Sequence, residues 1–523
     1  MSDYDVVISG GTVLDGTGAP PVAGNIGITD GVIAQVSDQP LRGQQRIDAD
    51  GQVVAPGFID LHSHADFRLP GWPAASTQLP QGVTTLLVGN CGFSPFPVAD
   101  LQQMKSATAF LDPELNWDWQ DHRGFTRAVA ESRPAINMAT QVGHHALRSA
   151  VLGGAERLAG PAELAQMADL LADAAGSGTQ GFSTGLIYAP GTYSDEREVQ
   201  HLVSAAARAG LLYSTHIRNE GAALTDAVRE AIRVAEAAGA RLQISHLKAA
   251  GPANHGTVGL ALDLIDEAAE RGVDVAADVY PYTASSTTLT TRLPAWAMDG
   301  GPQGLLARLA EPARRATLLA ELRAEERPST PASGVMIADI GPGRYADTAG
   351  QSLAEIARAE GIDAAEATLR ILAEHEGAVS VVLHSMAAED VAQVVAHPRV
   401  AIASDGWVMR PQGSGQPHPR SFGTFPRVLA HYVRDRGVLS LTEAVRKMTS
   451  LPASRLGWSD RGVLHPGAVA DVVVFDPQTI ADRSTYTDPW QLATGVSEVL
   501  VAGQVALRGG QPTGARAGSV LLR

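Results

Sequence analysis

From Phe58 onward the chain repeats one pattern: a short apolar run, a polar loop, then an alanine-rich amphipathic stretch. The apolar runs read as strands at Phe58–Leu61, Val83–Val88, Ile136–Val142, Gly181–Thr184, Leu211–Thr215, Arg241–Ser245, Val273–Val279 and Val400–Ala403. Most are continuous rather than alternating, as strands covered on both faces are. Between several of them, Pro161–Ala175, Glu196–Ala209, Leu224–Ala238 and Leu260–Arg271 have the spacing of amphipathic helices. Eight strand–helix units describe an α/β protein built on a TIM-like (β/α)8 barrel, whose chemistry sits at the C-terminal strand ends.

The two ends of the chain read differently. Tyr4–Gly10, Gly24–Thr29, Val32–Val36 and Gln45–Ala49 are short strands separated by Gly, Asp and Asn turns, and Ala470–Phe475, Glu498–Val501 and Gln504–Arg508 repeat that texture. The expectation is a small β domain built from both termini, residues 1–56 and 457–523, around a barrel of residues 57–456. Pro294 to Arg344 is charged and helical in pattern and follows the seventh strand, so an insertion at about 294–344 is expected there. A surplus strand, Val379–Leu383, has no place in the eight-unit scheme.

A length of 523 residues suits such a two-part architecture, and 45% hydrophobic with 18% charged residues is globular composition. No apolar run reaches the roughly 20 residues of a membrane span, and the start Met1-Ser2-Asp3-Tyr4-Asp5 has no secretory pattern. A formal net charge of −16 argues against nucleic acid or an anionic membrane as partner and leaves a small molecule as the expected one. The single cysteine, Cys91, excludes an internal disulfide framework and fits a cytoplasmic location. Nothing in the sequence sets an oligomeric state. Only three lysines occur, Lys105, Lys248 and Lys447, so each invites the question of why an ammonium was kept among so many arginines.

His62-Ser63-His64 follows the first barrel strand, and the two-residue period of extended chain turns both imidazoles the same way. Cys91 lies past the second strand in Gly89-Asn90-Cys91-Gly92, His216 ends the fifth and His246 the sixth. Taken singly, each reads most simply as a core or loop residue. Together they place five soft or borderline ligands at four strand ends, with Asp405 at the end of the last strand in Ser404-Asp405-Gly406. Imidazole plus thiolate suits zinc better than magnesium or calcium, which prefer oxygen shells. His122, His201, His255, His397 and His431 lie in loops or helices and read as structural. Lys248 shares a strand face with His246, so its ammonium is a candidate for reaching a bound substrate.

The series Pro56-Gly57-Phe58-Ile59-Asp60-Leu61-His62-Ser63-His64, Gly89-Asn90-Cys91-Gly92, Ser245-His246-Leu247-Lys248 and Ser404-Asp405-Gly406 resembles the D-aminoacylase family of the amidohydrolase superfamily. The likeness extends over Gly181–Gly191, Asp278–Tyr282, His418–Arg427, Met448–Gly457 and Gly467–Phe475, with no departure at a metal position. The resemblance implies removal of the acyl group from N-acyl-D-amino acids. It further implies a tightly held zinc on Cys91, His216 and His246, a second, weaker metal position on His62 and His64, and Asp405 as general base. Zinc would bring the pKa of its water from 15.7 toward roughly 7, and Asp405 would carry the proton to the departing amine. The resemblance places the grip on the substrate's α-carboxylate near Tyr280-Pro281-Tyr282 and Arg292, so Tyr188, Tyr282, Lys248 and Arg292 are candidates for substrate binding. His418 and Arg420 contact the side chain or order their loop, and His144 and Arg148 match a family element read as structural.

Three other readings compete. A cyclic-amide hydrolase of the hydantoinase or dihydroorotase type usually needs a carboxylated lysine at the fourth strand end, where this chain has Gly181-Phe182-Ser183-Thr184-Gly185. A non-catalytic barrel conflicts with the retention of ligands and base together. A deacylase restricted to N-acyl-D-glutamate or D-aspartate would need a further cation in the pocket, so neutral, hydrophobic side chains are favoured.

Overall fold

A computed structural model describes residues 3–111, 115–324 and 330–523. Residues 1–2, 112–114 and 325–329 lie outside the described residues, the last group within the segment expected to form the insertion.

The opening strands are β1 (Tyr4–Val13), β2 (Val22–Thr29), β3 (Val32–Ser37), β4 (Gly43–Asp48) and β5 (Val53–Pro56). β1 pairs antiparallel with β2 and parallel with β4 and β5. The sequence reading missed β5, whose four residues are all buried and show no alternation. One residue beyond it the chain enters the barrel, through β6 (Phe58–Asp60), β7 (Val83–Val88), β8 (Asn137–Gly143), β9 (Gly181–Gly185), β10 (Leu212–His216), β11 (Arg241–Ile244) and β12 (Val275–Val279).

After β12 come β13 (Ala284–Thr288), β14 (Val335–Ile340) and β15 (Val379–His384), an antiparallel sheet in the order β13-β15-β14. Helices Gly301–Ala310, Pro312–Ala324, Leu353–Glu360 and Ala364–Glu374 accompany it. Leu305, Leu318, Ile337, Leu369, Leu372 and Val381 belong to a buried cluster separate from the barrel core. The surplus strand is thus the centre of this sheet. The unit is wider than Pro294–Arg344, because β13 precedes that stretch, β14 lies within it and β15, which pairs with both, follows it.

The chain then returns to the barrel with β16 (Val400–Ile402), so β6–β12 and β16 form an eight-stranded parallel sheet. The first and eighth strands meet beyond their ends: Asp405 N–H donates to His62 O (2.8 Å) and His64 N–H to Gly406 O (2.9 Å). The barrel therefore closes at the residues singled out for chemistry. Helices Pro161–Gly176, Glu196–Arg208, Leu224–Ala238 and Val258–Glu270 cover its outside. On the last, Val258, Ala261, Leu262, Ile265 and Ala268 are buried at the spacing of a single helix face.

β17 (Val472–Phe475), β18 (Val496–Val501), β19 (Gln504–Arg508) and β20 (Gln511–Pro512) complete the terminal sheet. β17 lies antiparallel to β5, pairing Val473 with Ala55, and so joins the two ends of the chain in one nine-stranded sheet. Among the described residues, no helix is long and apolar enough to cross a membrane.

Candidate metal centre and active site

The loop after β7 turns back on itself. Gly89, Cys91 and Gly92 all have positive φ (82°, 54° and 80°), and Asn90 Nδ2 donates to Leu87 O (2.9 Å) while its Oδ1 accepts from Gln141 Nε2 (2.8 Å). A Cβ on Gly89 would lie 2.1 Å from Gln141 O, so only glycine allows this turn. Cys91, His246 (φ 35°) and Asp405 (φ 50°) all adopt the left-handed backbone that non-glycine residues avoid. Strain of this kind, about 1–3 kcal/mol per residue, persists where surrounding structure holds a side chain on a target.

The target is shared. Cys91 Sγ lies 3.3 Å from His62 Nε2, 3.4 Å from His246 Nε2 and 3.7 Å from His216 Nδ1. Asp405 Oδ1 lies 3.1 Å from His64 Nε2 and 3.3 Å from His62 Nε2. The ligand atoms of His62, Cys91, His246 and Asp405 all fall within 4.8 Å of one another, and all four residues are buried. The arrangement fits a metal on its own geometry. A tetrahedral zinc with Zn–S of about 2.3 Å and Zn–N of about 2.0–2.1 Å needs sulfur–nitrogen separations of about 3.6 Å, close to those between Cys91 and the two histidines of strands five and six.

The electrostatics point the same way. Burial opposes ionisation of Cys91, but the charges of His62 and His246 hold its thiol well below the ordinary range. Burial likewise opposes protonation of His64, yet Asp405 and Cys91 raise it to about 9. Asp405 is kept well below the usual carboxylate range: burial pushes it up, and Arg420 and His62 more than offset that. A thiolate and a carboxylate packed against imidazoles form a site in which a divalent cation replaces protons.

Two acids behind the cluster escaped the sequence reading. Asp278 Oδ1 accepts from His246 N–H (2.7 Å) and faces His62 Nδ1 (3.2 Å), while Oδ2 accepts from Gln243 (2.9 Å). Glu220, four residues past His216, has Oε1 3.1 Å from His246 Nδ1 and Oε2 3.7 Å from His216 Nε2. The visible signal for Glu220 was an acid in the loop that follows a ligand histidine, and for Asp278 an acid within an apolar strand.

The substrate candidates scatter. Arg420 Nη1 donates to Asp405 Oδ2 (2.7 Å) and its guanidinium lies 5.1 Å from the Tyr280 ring. His418 spends both nitrogens locally, Nε2 donating to Ala284 O (2.8 Å) and Nδ1 accepting from Arg420 N–H (3.0 Å), so it orders the loop. Tyr282 donates to Pro419 O (3.4 Å) and packs against His418. The Lys248 ammonium, expected to face substrate, is bonded to Glu220 and lies 2.9 Å from His246 Nδ1. Arg292 is held away by Thr330 O (3.2 Å) in the unit after the seventh strand, where burial lowers it to about 10. Tyr188 stands 5.1 Å from the His216 ring, with its hydroxyl 3.2 Å from Thr287 Oγ1. His144 and Arg148 share the buried carboxylate of Glu198. Of the histidines read as structural, His122 bonds Ser177 and Thr140, His255 faces Ser385 O, His397 pairs with Asp266 and His431 packs on Tyr432.

Two cavities bear on substrate access, of which the second is lined by a residue of the cluster. One of about 440 Å³ is lined by Phe93, Tyr188, Thr288, Leu293 and Met298, and among the described residues its charged lining is Asp100 and Glu376. A smaller one of about 190 Å³ reaches Asp405 past Arg68, Trp407, Arg410 and Arg420. Close packing under the cysteine loop yields a direct expectation. A Cβ on Gly185 would lie 2.0 Å from Cys91 O, so Gly185→Ala is expected to displace the thiolate and weaken zinc binding by at least about tenfold, as loss of orienting contacts does elsewhere. Chelator competition on the purified variant checks it.

A closed parallel barrel with a buried sulfur–nitrogen ligand set and a carboxylate at its mouth defines a metal-site barrel. Residues 45–507 match the amidohydrolase family. The chain is 37% identical to an N-acyl-D-glutamate deacylase of Alcaligenes xylosoxydans xylosoxydans, over 99% of this chain and 96% of that one. It is 34% identical to a D-aminoacylase of the same organism, over 99% and 98%. The crystal structure of an N-acyl-D-glutamate deacylase from Bordetella bronchiseptica, complexed with zinc and a phosphonate mimic of the tetrahedral intermediate, superimposes with a TM-score of 0.86 at 36% identity, covering 99% of this chain and all of that one. The chain belongs to the amidohydrolase family, in its D-aminoacylase branch.

Proposed function

We propose that this protein is a zinc-dependent hydrolase that cleaves the amide of N-acyl-D-amino acids to a carboxylate and a free D-amino acid. One observation carries the reading: Cys91, His216 and His246 converge at zinc-ligand spacing while Asp405 faces the same space from the far side of the barrel seam. Cys91, His216 and His246 would hold the tight zinc, and His62 and His64 a second, weaker position. When bound, zinc supplies Lewis acidity to the amide carbonyl and lowers the pKa of a water from 15.7 to roughly 7. Arg420 fixes Asp405 through Oδ2, and Oδ1, which faces His62 and His64, would take the water's proton and pass it to the leaving amine nitrogen. No lysine stands on β9, so the carboxylated-lysine site of cyclic-amide hydrolases has no counterpart there. A buried thiolate ligand suits a reducing compartment, and we place the enzyme in the cytoplasm.

Neutral side chains fit best, because the described residues lining the larger cavity beside Tyr188 include acids but no lysine or arginine. The smaller cavity, with Arg68, Arg410 and Arg420, favours a second reading in which an acidic side chain is held there. A panel of N-acetyl-D-Leu, D-Met, D-Phe, D-Glu and D-Asp with their L counterparts separates the two, with zinc measured on the same sample. D-Leu, D-Met and D-Phe are expected to give the highest kcat/KM; a higher value for N-acetyl-D-Glu selects the second reading. Turnover of hydantoins with none of the N-acetyl-D-amino acids overturns both.

A further inference from the structure

Glu220 presents one carboxylate to two histidines of the candidate zinc site. Its oxygens face His246 Nδ1 at 3.1 Å and His216 Nε2 at 3.7 Å. These are the ring nitrogens turned away from Cys91, whose sulfur faces His246 Nε2 and His216 Nδ1. A neutral imidazole binds a metal through its unprotonated nitrogen, so the other nitrogen carries the proton and requires an acceptor. Lys248 complicates the choice at His246, because its ammonium also lies 2.9 Å from Nδ1. Were Nδ1 to accept from that ammonium, the proton would sit on Nε2 and point at Cys91, which removes the ligand lone pair. Glu220 bonds Lys248 directly, engaging the ammonium and leaving itself as the acceptor at Nδ1.

We propose that Glu220 is the positioning residue that sets the metal-binding tautomer of both His216 and His246, and that Lys248 is its counter-charge. The side chains of Glu220 and Lys248 are 15% and 5% exposed, and a carboxylate so enclosed is costly without a paired cation. This accounts for a lysine kept at this position in a chain with only three. The inference rests on the zinc reading above and adds residues that reading does not use.

Zinc affinity of the full-length chain, measured by chelator competition, tests it. Glu220→Gln is expected to raise the zinc Kd about 10–100-fold, as loss of such partners does at other zinc sites, and Glu220→Asp to restore part of that loss. Lys248→Met is expected to raise the zinc Kd in the same direction. In the cobalt-substituted proteins, the thiolate charge-transfer bands are expected to shift in Glu220→Gln. A folded Glu220→Gln with a zinc Kd within about threefold of the parent overturns the proposal. If that variant does not fold, a folded Glu220→Ala with parental Kd and parental cobalt spectrum overturns it instead. A tenfold rise in KM for Lys248→Met with unchanged zinc Kd overturns the counter-charge role. A parent chain that binds no zinc removes the metal reading itself, which is a different failure.

Discussion

Asp405→Asn is expected to lower kcat on an N-acyl-D-amino acid roughly 10³-fold while leaving zinc content unchanged, since a positioned acid–base group contributes about 10²–10⁴-fold. The amide keeps the volume of the carboxylate and can still accept from Arg420, which holds Oδ2 at 2.7 Å in the parent. What it lacks is a basic oxygen for the water's proton and an acid for the leaving nitrogen. Cys91, His216 and His246 approach one another independently of Asp405, so the tight metal position survives the change. Zinc analysis and kcat on the same preparation separate the two effects. A variant that retains more than about a tenth of parental kcat takes Asp405 out of proton transfer, because a tenfold change lies below what such groups supply.

Asp405 stood out as a candidate base because it stands at a strand end, as do the five ligand candidates. All eight barrel strands fall within two residues of their expected bounds, for a physical reason. Runs such as Val83–Val88 are covered on both faces and read as continuous apolar stretches. The unit after the seventh strand was harder. β13 reads Ala284-Ser285-Ser286-Thr287-Thr288, too polar to announce itself, while β15 was visible but unplaceable because its partners lie on distant stretches of chain. Glu220 was illegible for another reason. An acid in a polar loop is ordinarily solvated, and only the fold turns this one toward two histidines. Lys248 was noticed for its rarity, but rarity does not reveal a partner, and the fold sets its ammonium against Glu220. Backbone strain at Cys91, His246 and Asp405 leaves no trace in residue type at all.

Cys91→Ala is expected to weaken the tight zinc by roughly 10³-fold. Zinc bound by a complete protein ligand set gains about 10–16 kcal/mol, so losing one of three ligands forfeits about a third, near 4 kcal/mol, at about 1.4 kcal/mol per factor of ten. The loss is steeper here than for either histidine, because the sulfur faces His62, His216 and His246 together and so serves both proposed metal positions. Without the thiolate, the remaining imidazoles lose the negative charge that faces them and a cation must be held by His62 and His64, with Asp405, alone on one side. Zinc added to chelator-treated parent is expected to restore turnover at stoichiometric amounts, whereas the Ala variant requires a large excess. The side chain removed is small and 3% exposed, and the fold is secured around it by Asn90 and Gly185, so the melting profile of the zinc-free variant is expected to follow that of the zinc-free parent. An Ala variant that purifies with stoichiometric zinc and turns over within about tenfold of the parent places the tight site elsewhere, since a lost first ligand costs more than that.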